Sequence, residues 1–438
     1  MNVLKFGGTS VGSAENIKHV AELVMSRGRN IVVLSAMAGV TNTLVEITEY
    51  LYRGNKSAAK EVLSQLTAKY MNTIDNLIDD PQLHDEACER VMEHLNIIHN
   101  FATDSFTLYE EKEILARGEL MSTAMMDCYL RQQGVKSVVL PALDYMRTDK
   151  TGEPDSAYIQ KNLTKLLQVN PDADIYLTEG YICRNAYGDV DNLQRGGSDY
   201  TASLIGAAIR ADEIQIWTDI DGMHNNDPRY VEGTEPVREL HFEEAAELAY
   251  FGAKILHPTC VLPAKYHNIP VRLLNTMMPD APGTLIHHTP GDRTIKAVAA
   301  KDNITAIKIK SSRMLLAYGF MRKVFEIFES YRTPIDMVVT SEVGVSVTID
   351  SGRNLEPIVD ELRKLGSVTI DEDMVIICVV GDLEWSNTGL ETMAMNALRE
   401  IPVRMISYGG SNYNISFLVH KSDKVRALQA LSDTLFPK

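Results

Sequence analysis

The first twelve residues narrow the choice of fold more than any other stretch. Met1-Asn2-Val3-Leu4-Lys5-Phe6 is a short apolar strand, and Gly7-Gly8-Thr9-Ser10-Val11-Gly12 follows it as a turn of small residues. Two glycines without Cβ let backbone N–H groups close on an anion. Thr9 and Ser10 are placed to cap the next helix, whose positive end favours phosphate. Lys5 stands before the turn and adds a full positive charge. In a Walker loop the lysine follows the glycines instead. Taken alone, the pattern is equally that of a plain strand-to-helix turn. A second apolar run at 30–36 lies beyond a helical stretch at 13–27, which completes a βαβ unit.

From about 55 to 133 the pattern is helical. Ala59, Val62, Leu63, Leu66, Tyr70 and Ile74 recur at steps of three and four. Strands resume at 137–140, 174–180 and 213–218, with a helix at 199–210. This alternation predicts an α/β domain of three layers around a mostly parallel central sheet. Turn-rich segments at 280–283 and 288–292 mark its end. Beyond them lies an internal repeat. Pro334-Ile335-Asp336-Met337-Val338 matches Pro402-Val403-Arg404-Met405-Ile406, and strands at 345–349 and 413–417 keep the same register. Each copy reads βαββαβ, which predicts two ferredoxin-like modules. The expected division is 1–292 (with a helical insert at about 55–115), 300–370 and 371–438. A strand near 303–311 is open to pairing with the second module.

A chain of 438 residues is long enough for two or three domains. Its net charge of −16 argues against nucleic acid or an anionic membrane as partner, and an anionic ligand needs a local cationic pocket. The five cysteines form no CxxC pair, so no disulfide framework and no metal site is expected. The absence of a signal peptide and of an apolar membrane-spanning run makes the cytoplasm the expected location.

Three further segments share the character of the opening turn. Ser35-Ala36-Met37-Ala38-Gly39-Val40-Thr41 follows a strand, where α/β sheets place ligands. Arg195-Gly196-Gly197-Ser198-Asp199-Tyr200 opens a helix beside a guanidinium able to grip a carboxylate. The third runs from Trp217-Thr218-Asp219-Ile220-Asp221-Gly222 through Asp227-Pro228-Arg229 to Phe251-Gly252-Ala253-Lys254-Ile255-Leu256-His257-Pro258. Each has a plain reading as a turn, a helix cap or a solvated charge. Together, two glycine-pair loops, two lysines and two arginines suit one polyanion and one small carboxylate.

These motifs, with Gly118-Glu119, resemble the aspartate kinase family in content and order, and the C-terminal repeat resembles that family's paired ACT modules. The resemblance implies an amino-acid-kinase domain followed by two ACT modules. It implies transfer of the ATP γ-phosphoryl group, with Mg²⁺, to the β-carboxylate of L-aspartate. Lys5 and Asp199 are the implied catalytic residues. Ser35, Thr41, Glu119 and Arg195 would hold aspartate, and Gly7, Gly8, Gly197, Thr218, Asp219, His224, Arg229 and Lys254 would hold the nucleotide. His224 departs from the aromatic residue common in the family's loop. Met314, Gly319, Phe320, Met321, Ile335, Asp336, Thr340, Ser341 and Glu342 resemble the effector site of the lysine-sensitive subclass, while Ala317 replaces a hydroxyl common in related chains. Lysine as inhibitor and a homodimer or dimer of dimers through the ACT modules are implied. Threonine as effector, or modules that only dimerise, stay open.

Overall fold

The computed structural model describes residues 1–101, 106–193, 196–252, 256–289, 294–314 and 318–437. The chain divides into two compact units, 1–223 with 255–289, and 224–254 with 290–438. In chain order the elements begin with β1 (Asn2–Phe6), α1 (Ala14–Ser26), β2 (Asn30–Leu34), α2 (Val40–Tyr52), α3 (Lys56–Leu77), α4 (Pro81–Phe101) and α5 (Leu108–Gln132). Then come β3 (Ser137–Val139), α6 (Ala142–Tyr145), α7 (Ser156–Val169), β4 (Ile175–Glu179), β5 (Ile182–Arg184), β6 (Val190–Asn192), α8 (Gly197–Ile209) and β7 (Ile214–Thr218). They continue with β8 (Glu239–His241), α9 (Phe242–Tyr250), α10 (Leu262–Tyr266), β9 (Val271–Asn275) and β10 (Thr284–His287).

Seven strands of the first unit line up as β3-β4-β2-β1-β7-β9-β10. All neighbours are parallel except β10, which runs antiparallel to β9. Every residue of β2 and β4 is buried, as expected of strands covered on both faces. The register brings the ends of three central strands level to within one residue, with Phe6 opposite both Leu34, the last residue of β2, and Trp217, the last but one of β7. The loops leaving β1, β2 and β7 therefore start from one edge. Phe6 also stacks on Trp217, with ring centroids 5.8 Å apart. The expected helical insert is built from α3, α4 and the start of α5. Tyr70, Ile74, Val91, Leu95 and Ile98 bury their side chains in the same core as β1 and β2.

Thr9 and Ser10 do not cap α1; Ser13 does, with its hydroxyl accepting from the Asn16 N–H at 3.2 Å. Ser13 holds the extended backbone that an N-cap needs, φ −146° and ψ 168°. Thr9 and Ser10 are still inside the turn, where the Ser10 N–H donates to the Gly7 carbonyl at 3.0 Å.

The second unit carries β11 (Ile295–Lys310), α11 (Phe320–Ser330), β12 (Val338–Thr340), β13 (Gly344–Ile349), α12 (Leu355–Arg363), β14 (Ser367–Gly381), α13 (Leu390–Ala397), β15 (Val403–Tyr408), β16 (Asn414–His420) and α14 (Lys424–Leu435). Six of its strands form an antiparallel sheet in the order β12-β13-β11-β14-β16-β15. Two cores sit on this sheet. One gathers Ile307, Phe320, Phe328, Val347, Ile358 and Leu362; the other gathers Val298, Ile377, Val379, Phe417, Leu428 and Leu431. The strand expected near 303–311 is longer than that. Its part Thr305–Lys310 pairs with β13, while Ile295–Lys301 pairs with the end of β14. The repeat is also uneven. Pro334–Met337 is not strand, whereas the matching segment of the second copy is β15 from Val403 onward. Asp336 and Met337 still bond across to Thr348.

Phe328 is 2% exposed within the first of these cores. Phe328→Ala is expected to lower unfolding free energy by about 3–5 kcal/mol in urea denaturation of the full chain. An unchanged midpoint would contradict this placement.

Candidate functional site

At the edge where β1, β2 and β7 end, the Lys5 ammonium lies 2.6 Å from Asp199 Oδ1. Both side chains are largely buried, 12% and 14% exposed. Lys5 is on β1, and Asp199 is in the first turn of α8. The ammonium hangs over the glycine turn: a Cβ on Gly7 would stand 3.7 Å from Nζ. Gly8 is pressed against the neighbouring loop, since a Cβ there would be 2.8 Å from the Ala36 carbonyl oxygen. The Ala38 N–H donates to the Gly8 carbonyl at 2.9 Å, so the loops after β1 and β2 are joined by their backbones.

The second glycine pair is shaped by backbone angle and space together. Gly196 caps α8 at φ +78°, and a Cβ there would run into the Cys260 sulfur at 1.8 Å. The helix begins at Gly197, and its first turn carries Asp199, the partner of Lys5. Ser198 does not cap the helix. It accepts a hydrogen bond from Ser35 Oγ at 2.8 Å, tying the β2 loop to α8. Ser122 of α5 donates to the Ser35 carbonyl at 2.7 Å, and Lys69 of α3 donates to the Ala38 carbonyl at 2.7 Å.

These loops enclose a cavity of about 400 Å³. Gly8, Ser35, Thr41, Glu119 and Gly197 of the sequence-predicted set line it. So do Tyr181, Ser198 and Asn42, which sequence reasoning missed. Tyr181 carries no local signal. It adopts φ +68°, rare for an aromatic residue, and its N–H donates to Thr201 Oγ1 at 2.9 Å. Glu119, on α5, is almost fully buried, and one of its carboxylate oxygens has no hydrogen-bond partner among the described residues. Burial pushes its carboxyl up to about 8, against the pull of the Ala36 amide, with repulsion from Glu179 adding to the rise. Glu179, at the end of β4, is pushed up by burial to about 7 and accepts from the Ala142 N–H at 2.7 Å.

Thr218 ends β7, and its hydroxyl donates to Asp219 at 3.1 Å. Arg195 and Lys254 lie outside the described residues. In the second unit, His224 bonds Thr234 Oγ1 at 3.0 Å, and Arg229 forms an ion pair with Asp227 at 2.6 Å while staying 69% exposed. Phe320 of the expected effector set is buried in a module core, with Met314, Met321 and Ile335 packed against it. Thr340, Ser341 and Glu342 are exposed, and Gly319 caps α11 at φ +79°. Asp336 is 2% exposed and is held by Lys301, a partner the sequence did not reveal, at 2.6 Å. Among the described residues, one trio, Glu86, Asp127 and Cys128, is close enough to share a metal ion, but Arg90 and Arg131 already pair with it. No described helix is long and apolar enough to cross a membrane.

The amino acid kinase family model matches residues 1–275, and an ACT domain model matches 377–435. Lysine-sensitive aspartokinase 3 of Escherichia coli is 33% identical over 447 residues, spanning 99% of this chain and 99% of that protein. Chloroplastic aspartokinase 1 of Arabidopsis thaliana is 36% identical over 465 residues, spanning 99% of this chain and 80% of that protein. The solved structure of E. coli aspartokinase III in complex with aspartate and ADP matches with a TM-score of 0.86 at 33% identity, covering 100% of both chains. Its complex with lysine and aspartate matches at 0.82, covering 100% of this chain and 99% of the other.

Gly118 of α5 packs against the β2 loop so closely that a Cβ would sit 2.8 Å from the Ala36 Cβ. That methyl is fixed to a short loop and cannot turn aside. Gly118→Ala should therefore cost about 1–3 kcal/mol, read from thermal unfolding. A wild-type melting temperature would contradict the close packing.

Proposed function

The chain belongs to the aspartokinases of the amino acid kinase family, and on that premise we propose that it transfers the γ-phosphoryl group of ATP to the β-carboxylate of L-aspartate. The product is 4-phospho-L-aspartate, the first intermediate toward lysine, threonine and methionine. The observation that carries this reading is the Lys5–Asp199 pair over the Gly7–Gly8 turn, beside a cavity lined by Glu119.

The acceptor's pKa is about 3.9, so it is ionised at neutral pH and needs no general base. What opposes the reaction is charge. Two unit negative charges at 4 Å cost roughly 4 kcal/mol at an effective dielectric of 20. Lys5 offers the cation that lies between acceptor and γ-phosphoryl group, and Asp199 holds its ammonium in place. The Gly8 and Gly197 N–H groups add donors that need no reorganisation, whereas the Gly7 N–H, expected to join them, already donates to the Trp217 carbonyl at 3.2 Å. Mg²⁺ arrives as the counter-ion of ATP, part of that substrate, and offsets charge on its phosphates. Ser35 and Thr41 orient aspartate, Glu119 receives its ammonium, and Arg195 clamps its α-carboxylate. Thr218 and Asp219 serve the nucleoside end. His224, Arg229 and Lys254 serve the nucleotide, Arg229 with the donors its bond to Asp227 leaves exposed.

Lysine is the proposed feedback inhibitor. Asp336 supports this as a buried carboxylate in the first ACT module with one oxygen lacking a hydrogen-bond partner among the described residues. The α11 N-terminus at Gly319 suits the effector's carboxylate. We propose assembly through the ACT modules, whose outer strands β12 and β15 expose Val339, Ile406 and Tyr408.

Aspartate-dependent ADP release, lowered by lysine, tests the whole reading; no release with aspartate would reject it. Lys5→Ala should lose at least about three orders of magnitude in kcat while ATP still binds. Near-normal turnover would remove Lys5 from its role. The raised Glu119 pKa gives a signed pH effect. Below about 8 the empty site holds a protonated Glu119, and an incoming ammonium favours the carboxylate. Aspartate binding should release a proton, and KM for aspartate should fall as pH rises from about 6 to 8. Calorimetry in buffers of different ionisation heat checks this. A pH-independent KM with no proton release would contradict the assignment of Glu119.

A further inference from the structure

Helix α9 ends at Tyr250, and the chain continues through Phe251 and Gly252 to Lys254. Two contacts near this end join it to Asp336 of the first ACT module and to β11. The Tyr250 hydroxyl donates to Asp336 Oδ1 at 2.6 Å. Gly252, at φ +133°, lies so close to β11 that a Cβ would be 2.3 Å from the Ala300 carbonyl oxygen. The next residue of β11 is Lys301, whose ammonium reaches the same Asp336 oxygen at 2.6 Å and Asp350 at 3.0 Å. That ammonium also sits 4.3 Å from the centre of the Tyr250 ring. Burial and the bond to Asp336 push the Tyr250 phenol up to about 12, so it stays a donor at neutral pH. Asp336 Oδ2 is buried and has no hydrogen-bond partner among the described residues.

We infer that Tyr250 is a positioning residue: its hydroxyl, through Asp336, joins the effector pocket of the first ACT module to the end of α9 and Gly252, two residues before Lys254 in the sequence. The inference rests on the effector reading proposed above and adds how occupancy is sensed. An effector ammonium at Oδ2 places a second cation on a carboxylate that Lys301 already neutralises. The two cations repel, and Lys301 has Asp350 to retreat to. The hold of Oδ1 on Tyr250 then changes, and with it the end of α9. Gly252 allows no slack, because its backbone is already in contact with β11. Effector binding and nucleotide binding are thereby linked through one hydroxyl, and such a link acts equally in both directions.

Tyr250→Phe removes that hydroxyl and keeps the ring over Lys301. On the full-length variant, lysine binding is measured by calorimetry and lysine inhibition by ADP release. The expected result is lysine affinity within about threefold of wild type, with an inhibition constant raised about tenfold or more. Nucleotide affinity with and without lysine should differ in the wild type and become nearly equal in the variant. Wild-type inhibition by lysine in Tyr250→Phe, with binding intact, would overturn the role of Tyr250 and leave the effector reading standing. Loss of lysine binding in the variant would also overturn it, since the hydroxyl would then be part of the pocket. Failure of the wild type to bind lysine would reject the effector reading, and this inference with it.

Discussion

The ion pair between Lys5 and Asp199 is the interaction on which the catalytic unit depends. It joins the first strand to the first turn of α8, 194 residues later, and is largely buried. A buried pair is a poor source of stability, because removing two charges from water costs several kcal/mol per ion. Its value lies in placement. The Asp199 carboxylate keeps a cation at the edge of the sheet, between the glycine turn after β1 and the glycine pair that opens α8. The rest of the unit serves that edge. The parallel register of β1, β2 and β7 brings the loops level, and α5 braces the β2 loop through Gly118 and Ser122.

The net charge of −16 makes this local arrangement necessary. The protein's field repels both substrates, so attraction has to come from a few fixed donors at short range. The same economy of charge recurs in the second unit, where Lys301 neutralises the buried Asp336. Its sheet adds a mechanical point. β11 and β14 each reach both module cores, with Ile307 and Ile309 of β11 and Val368 of β14 in one, Val298 of β11 and Val375, Ile377 and Val379 of β14 in the other, and register shifts between Lys301 and Ala306. The two modules are therefore built on shared strands.

Much of this was legible in the sequence where the signal is local and repeated. Alternating strands and helices revealed the layered unit, and the two Pro-x-x-Met segments revealed the paired modules. Lys5, Gly8, Ser35 and Glu119 stood out as polar or small residues beside strand ends or in a motif. Other residues had no such mark. Tyr181 takes its backbone angle from its surroundings, and Lys301 and Tyr250 meet Asp336 only because β11 and α9 are folded together. The cap of α1 was misplaced because Thr9, Ser10 and Ser13 are all good N-caps by type, and only backbone geometry selects Ser13. The sequence match between the copies begins at Pro334, yet the first copy's ladder forms only from Val338, a difference the repeat itself does not carry.

The measurement that tests the central claim most directly is a double-mutant cycle on aspartate-dependent ADP release, using Lys5→Ala, Asp199→Asn and the two combined. If Asp199 acts by holding the Lys5 ammonium, Asp199→Asn slows turnover in the wild-type background and costs almost nothing once Lys5 is gone. Losses that simply multiply would contradict this account, because Asp199 would then act on the reaction independently of Lys5.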